Sequence, residues 1–240
     1  MSKTFFVDTS RCTACRGCQV ACKEWHGLRA VPTKQRGTHQ NPPDLTPFNY
    51  KLVRFSEHKA DGRIQWFFFP DQCRHCLSAP CKEMADNYVP GAIVVDEATG
   101  AVLYTEKTRR LTIDQANEVR EFCPYNIPRR DEDTGLLTKC DMCIDRVKAN
   151  MLPACVKVCC TGAMNFGDRE EMLNLAESRL ETVKKKFPKA VLLDPEGVNV
   201  IYLTTEDRKM YYQYAERSPD VFTRKRVLKK LASPIRGMFG

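Results

Sequence analysis

The sequence predicts an α+β fold in which short hairpins and short helices gather around cysteines, with a helix-and-strand extension at the C-terminal end. Three observations predict it. Thirteen cysteines fall into dense sets rather than scattering. Stretches of period-two apolar alternation lie between the sets. After Gly167 the cysteines stop, and apolar residues recur at helical spacing.

The first set, Cys12, Cys15, Cys18 and Cys22, reads C-x2-C-x2-C-x3-C. At that spacing three thiolates hold one iron–sulfur cube and the fourth reaches a neighbouring cube. Four cysteines packed this densely do not close around one tetrahedral zinc ion, although Cys140, Cys143, Cys155 and Cys159 taken alone would suit zinc. A disulfide framework belongs to short secreted chains with even cysteine counts, not to 240 residues with thirteen cysteines.

Next comes a Pro- and Gly-broken stretch, Pro32 to Pro47, read as a loop lying against a partner subunit. Lys51 to Phe55 and Ile64 to Phe68 then alternate around Asp61-Gly62 and predict a hairpin. Ala92 to Val95 and Ala101 to Tyr104, across Thr99-Gly100, predict a second.

The middle set is Cys73, Cys76 and Cys81, and Cys123, followed by Pro124, is the cysteine available to complete it. The last set, Cys140, Cys143, Cys155 and Cys159, is complete and can trade fourth ligands with the first. The expected groups are therefore Cys12, Cys15, Cys18 with Cys159; Cys140, Cys143, Cys155 with Cys22; and Cys73, Cys76, Cys81 with Cys123. That makes three [4Fe–4S] clusters. A fourth would need cysteines at positions occupied by Ile113, Ala116, Val119 and Ala85, which are all apolar and predict a filled pocket. Only Cys160 is left over, and it is expected to be a small buried hydrophobe.

Beyond Gly167, Asp168 is positioned to cap a helix carrying Met172, Leu175, Ala176, Leu180, Val183 and Phe187. A strand at Val198 to Leu203, a short helix around Met210 to Tyr214 and a basic amphipathic tail from Val221 to Gly240 follow.

Composition excludes several functions. The formal charge of +8 would ordinarily suggest nucleic acid, but three clusters of about −2 each offset most of it. Arg11, Arg16, Lys23, Arg74, Lys82, Lys139 and Lys157 then read as local counter-charges. The four histidines are scattered, and His75, inside the Cys73–Cys76 turn, can at most tune a cluster through hydrogen bonding. No phosphate loop, dinucleotide fingerprint or nucleophile–base pattern occurs, so no catalytic residue is assigned. No apolar run approaches a membrane span, and Asp8 and Arg11 interrupt any apolar signal core.

The order of the sets, with Cys73-Arg-His-Cys76, Cys123-Pro-Tyr-Asn-Ile-Pro128, Lys139-Cys-Asp-Met-Cys143 and Leu152-Pro-Ala-Cys155, resembles the iron–sulfur subunits of molybdenum- or tungsten-bispterin oxidoreductases over residues 1–167. Within these, Gly37-Thr-His-Gln-Asn-Pro-Pro-Asp44 and Met164-Asn-Phe-Gly-Asp168 resemble the β subunits of periplasmic formate dehydrogenases of sulfate-reducing bacteria. The resemblance implies a tandem ferredoxin-like fold. Residues 1–30 with 136–167 would form one half holding two clusters, residues 51–135 the other half holding one, and residues 168–240 an extension for partner contact. It also implies a metal–pterin catalytic subunit that interconverts formate and carbon dioxide, a multihaem cytochrome c acceptor, and periplasmic location by co-export with the catalytic subunit, with the cytoplasm as alternative. The same frame serves nitrate, sulfoxide, polysulfide and arsenate enzymes, and a free-standing polyferredoxin is the other reading.

Overall fold

The computed structural model describes residues 2–60 and 62–217. The basic tail from Val221 to Gly240 lies outside the described residues. Ten strands and six helices follow one another: β1 Lys3–Asp8, α1 Gly17–Trp25, β2 Leu52–Ala60, β3 Arg63–Asp71, α2 Pro80–Asp86, β4 Ile93–Val95, β5 Val102–Tyr104, α3 Ile113–Glu121, β6 Arg129–Arg130, β7 Leu137–Thr138, α4 Ile144–Lys148, α5 Ala154–Lys157, β8 Met164–Asp168, α6 Arg169–Lys184, β9 Val191–Leu193 and β10 Val200–Thr204. None of the described helices is long and apolar enough to cross a membrane.

The main sheet has the order β8-β1-β10-β9. Its centre is a parallel pair in which Phe6 faces Ile201, flanked by antiparallel β8 and β9. Parallel strands cannot be joined by a tight turn. Here almost the whole chain, with every cysteine, is the connection. β1 escapes the sequence reading because Phe5, Phe6 and Val7 are all buried, so no polar face alternates with the apolar one. One side of the central pair sends Phe5, Val7, Val200 and Tyr202 into a core shared with Cys18 and Cys155. The other sends Phe6, Ile201 and Leu203 into a core shared with Cys73, Cys140 and, from α6, Ala176 and Val183.

The segment 168–217, read from sequence as an extension, thus supplies two of the four strands of the main sheet. Its strand is parallel to β1 and starts at Val200 rather than Val198. Asp168 occupies the cap position of α6, but its carboxylate bonds Lys3 Nζ at 2.8 Å instead of the helix amides. Glu170 and Glu171 in the first turn favour the helix electrostatically. The expected helix at Met210 to Tyr214 is only a 3-10 turn at Arg208–Met210.

Both expected hairpins form. β2 and β3 pair from Leu52↔Asp71 to Ala60↔Arg63, and β4 pairs with β5. The stretch before β2 folds back on its own chain. Asp44 bonds Arg54 and Arg129 at 2.7 Å each, and Gln40 Oε1 accepts from Phe55 N–H.

A third core unites α2 and α3. Thr112 and Gln115 make a capping box that starts α3. Ala116 and Val119 then pack with Ala85, Ile93 and Val102. Ile113 departs from the filled-pocket reading: it is 65% exposed. As the first residue of α3 it precedes the turn that faces α2, so the three-residue spacing does not keep it on the buried side.

Candidate iron–sulfur sites

Three of the four Cys-x-x-Cys turns contain the same backbone hook. Ala14, His75 and Met142, one residue before Cys15, Cys76 and Cys143, take φ of 54°, 45° and 70°. Left-handed backbone at a non-glycine residue costs about 1–2 kcal/mol. Turns of this kind aim successive amides at an anion, and His75 N–H donates to Cys73 Sγ at 3.4 Å.

The thiols gather in three groups. Burial, and then the like charges of Cys12, Cys159 and Cys15, push Cys18 up to about 11 against the pull of Lys51. Burial raises Cys155, with Cys22 and Cys143 adding to it. Burial and Cys22 likewise raise Cys140. Cys123 is pushed up to about 12 by burial, then by Cys81 and Cys73, and Cys76 is raised by burial and by Cys73, Cys123 and Cys81. The groups also meet one another, since Cys18 acts on Cys155 and Cys73 on Cys140. Cys160 stands apart and is exposed, contrary to its expected burial. It lies in the turn leaving α5, where the apolar contacts are made by Val156 instead.

Buried polar atoms test what such groups could hold. Cys73, Cys76, Cys81 and Cys123 line one cavity, together with Arg74 and Lys139. Arg74 is 1% exposed, and among the described residues its Nε and Nη2 have no hydrogen-bond partner. Burial and then the charge of Lys139 hold His75 well below the usual histidine range, so it is neutral. Its Nδ1 accepts Val102 N–H at 3.0 Å, which leaves Nε2–H as a buried, unpaired donor. Gln72 Nε2 is a further one. Unpaired buried donors beside four thiols are costly unless an anionic, acceptor-rich group joins them. A thiolate-held iron–sulfur cluster fits that requirement.

Two side chains that the sequence reading passed over organise the groups. His26, at the end of α1, reaches Asp141 Oδ1 with Nε2 at 2.9 Å and the Cys22 carbonyl with Nδ1 at 2.8 Å. Asp141 also accepts Cys143 N–H at 2.8 Å. His26 therefore clamps Cys22 to a turn more than a hundred residues away. Its only sequence signal was its position four residues after Cys22. The other is Lys51, which is buried beside Cys18 and Cys155. Of the expected counter-charges, only Arg74 and Lys139 are buried. Arg11 turns to Asp8, Lys82 pairs with Asp86, Arg16 and Lys23 bond backbone carbonyls, and Lys157 is exposed.

A family model described as a 4Fe-4S dicluster domain matches residues 64–169. The chain is 60% identical over 216 residues, 90% of its length and 99% of the relative's, to "Formate dehydrogenase 2 subunit beta (cytochrome c-553)" of Nitratidesulfovibrio vulgaris. It is 54% identical over 215 residues, again 90% and 99%, to "Formate dehydrogenase subunit beta" of Megalodesulfovibrio gigas. The chain belongs to the formate dehydrogenase beta-subunit family. The nitrate-inducible iron–sulfur subunit of Escherichia coli formate dehydrogenase is more distant, 32% identical over 248 residues, 95% of this chain and 77% of that relative. As a formate dehydrogenase beta subunit, the chain is an iron–sulfur electron-transfer subunit of an oxidoreductase complex, with mixed helix and strand around a ferredoxin-type 4Fe-4S domain.

Proposed function

We propose that this beta subunit holds three [4Fe–4S] clusters and relays electrons between a molybdenum- or tungsten-bispterin subunit that interconverts formate and carbon dioxide and a cytochrome c. Cys12, Cys15, Cys18 and Cys159 would hold the first cluster, Cys140, Cys143, Cys155 and Cys22 the second, and Cys73, Cys76, Cys81 and Cys123 the third. The observation that carries this reading is the cavity lined by Cys73, Cys76, Cys81 and Cys123, at which Arg74 and the neighbouring His75 keep buried donor atoms without a partner among the described residues. When bound, the clusters would supply one-electron redox centres in a single file. The chain's own residues would keep them apart from water, and the partnerless buried donors of Arg74 and His75 would be available to cluster sulfur.

The finer architecture follows the same reading. Residues 1–30 with 136–167 form a two-cluster ferredoxin-like half, residues 51–135 a one-cluster half, and residues 168–240 contribute partner contact. The packing of Ala85, Ala116 and Val119 in one apolar core supports the loss of a fourth cluster. The name of the Nitratidesulfovibrio vulgaris relative supports a cytochrome c acceptor. A periplasmic location, reached by export together with the catalytic subunit, rests on the resemblance to the sulfate-reducer enzymes.

Native purification tests the reading. The chain should co-elute with a large metal–pterin subunit, formate should bleach the visible absorption of the complex, and the beta subunit separated from its partner should contain about twelve iron and twelve sulfide. Iron near four or sixteen per chain, or no bleaching by formate, would refute it.

A further inference from the structure

Lys51 is enclosed, at 2% exposure. Its Nζ donates to the Pro70 carbonyl at 3.2 Å and to Gln72 Oε1. Both acceptors are neutral, and among the described residues no carboxylate pairs with it. Taking an ammonium out of water is costly unless opposite charge compensates, and two neutral acceptors do not supply it.

The titratable groups that do face Lys51 are the Tyr202 hydroxyl and three thiols, and the thiols come from two of the proposed ligand groups, Cys18 from the first, Cys155 and Cys140 from the second. Burial works against the charge, and these sulfurs, as thiolate ligands of the clusters proposed above, would offset that cost. The backbone accounts for the placement. Lys51 immediately precedes β2, and two residues on, Val53 N–H donates to Gln19 Oε1 at 3.1 Å. Gln19 lies on α1 between Cys18 and Cys22, which are assigned to the first and second ligand groups. The strand that follows Lys51 is therefore tied to the helix that joins the two ligand groups.

We propose that Lys51 is a redox-tuning residue, a fixed positive charge seated between the first and second cysteine groups that favours the reduced, more negative state of both and leaves the third alone. The proposal rests on the cluster assignment above. Lys139 does not duplicate this role, because it lines the third cavity and bonds the carbonyls of Val102 and Cys140. A lysine needed only for packing could be replaced by an uncharged side chain of similar length without electrical effect.

The test is an anaerobic redox titration, followed by electron paramagnetic resonance, of the purified complex carrying wild-type Lys51, Lys51→Gln, Lys51→Met or Lys51→Arg. Each centre is assigned by the signal lost in a cysteine-to-serine variant of its own group. Both neutral variants should lower the reduced-to-oxidised ratio of the first two centres about tenfold at fixed ambient potential, a 59 mV shift for a one-electron couple. The third centre should not move, and Lys51→Arg should stay near wild type. Unmoved first and second centres in fully loaded protein, or an equal shift of all three, would overturn the proposal. So would loss of iron from both neutral variants, which would make Lys51 an assembly residue. Wild-type iron far from twelve per chain is a different failure, that of the cluster assignment itself.

Discussion

The backbone N–H of Asn199 donates to the carbonyls of both Arg74 and His75, at 3.0 and 3.2 Å. With the bridge between Cys76 and Val198, this fastens the Cys73–Cys76 turn to the start of the last sheet strand. The Asn199 side chain extends the junction, since its Oδ1 accepts from Thr4 and Arg169 at 3.2 Å each. Asn199→Ala should therefore destabilise the protein by about 1–3 kcal/mol, because it strands buried donors. Thermal unfolding of the holoprotein would show it as a lower Tm, and an unchanged Tm would remove Asn199 from this role.

Gly100 bears on the same junction. Its φ is +75°, and a β-carbon there would lie 2.7 Å from Asn199 Nδ2. Gly100→Ala combines backbone strain with that clash, so a loss of about 1–3 kcal/mol is expected in denaturant unfolding. Wild-type stability in this variant would mean that Asn199 moves aside freely.

The two ends of α3 should respond oppositely to charge. Val119 is fully buried and Ile113 is 65% exposed. Val119→Asp should cost a few kcal/mol by burying an unpaired carboxylate while leaving the iron content at its wild-type value. Ile113→Asp should stay within about 0.5 kcal/mol of wild type. Equal stabilities for the two variants would contradict the apolar packing between α2 and α3.

Ligand exchange between distant sets makes a spectroscopic prediction. Cys22→Ser should perturb the centre of Cys140, Cys143 and Cys155, and Cys123→Ser only the third centre. Cys160→Ser should leave iron content unchanged, since the thiol is exposed and outside the three groups. Damage in Cys22→Ser confined to the centre of Cys12, Cys15 and Cys18 would refute the exchange.

Asp71 is fully buried and carries two guanidinium groups, Arg54 at 2.8 Å and Arg74 at 2.9 Å. Asp71→Asn keeps the shape but leaves buried cations undercompensated, so a loss of about 3–5 kcal/mol is expected, measured by chemical unfolding. A small effect would show that other acceptors carry those arginines.

The amino-acid sequence by itself determined the chemistry that is local in the chain. Cysteine spacing is set by how far a short turn can carry a sulfur, so the four Cys-x-x-Cys turns were legible, and so were the hairpins around Asp61-Gly62 and Thr99-Gly100, whose turn residues are adjacent. Only the tertiary structure decided which distant segments meet. The parallel pairing of β1 with β10 brings Phe6 to Ile201, and no local pattern encodes a contact between strands nearly two hundred residues apart. The clamp of His26 on Asp141, the burial of Lys51 between two thiol sets and the exposure of Ile113 and Cys160 are consequences of that pairing and packing. A side chain's charge is written in the sequence, but the dielectric and the neighbours that give the charge a role exist only once the chain has folded around it.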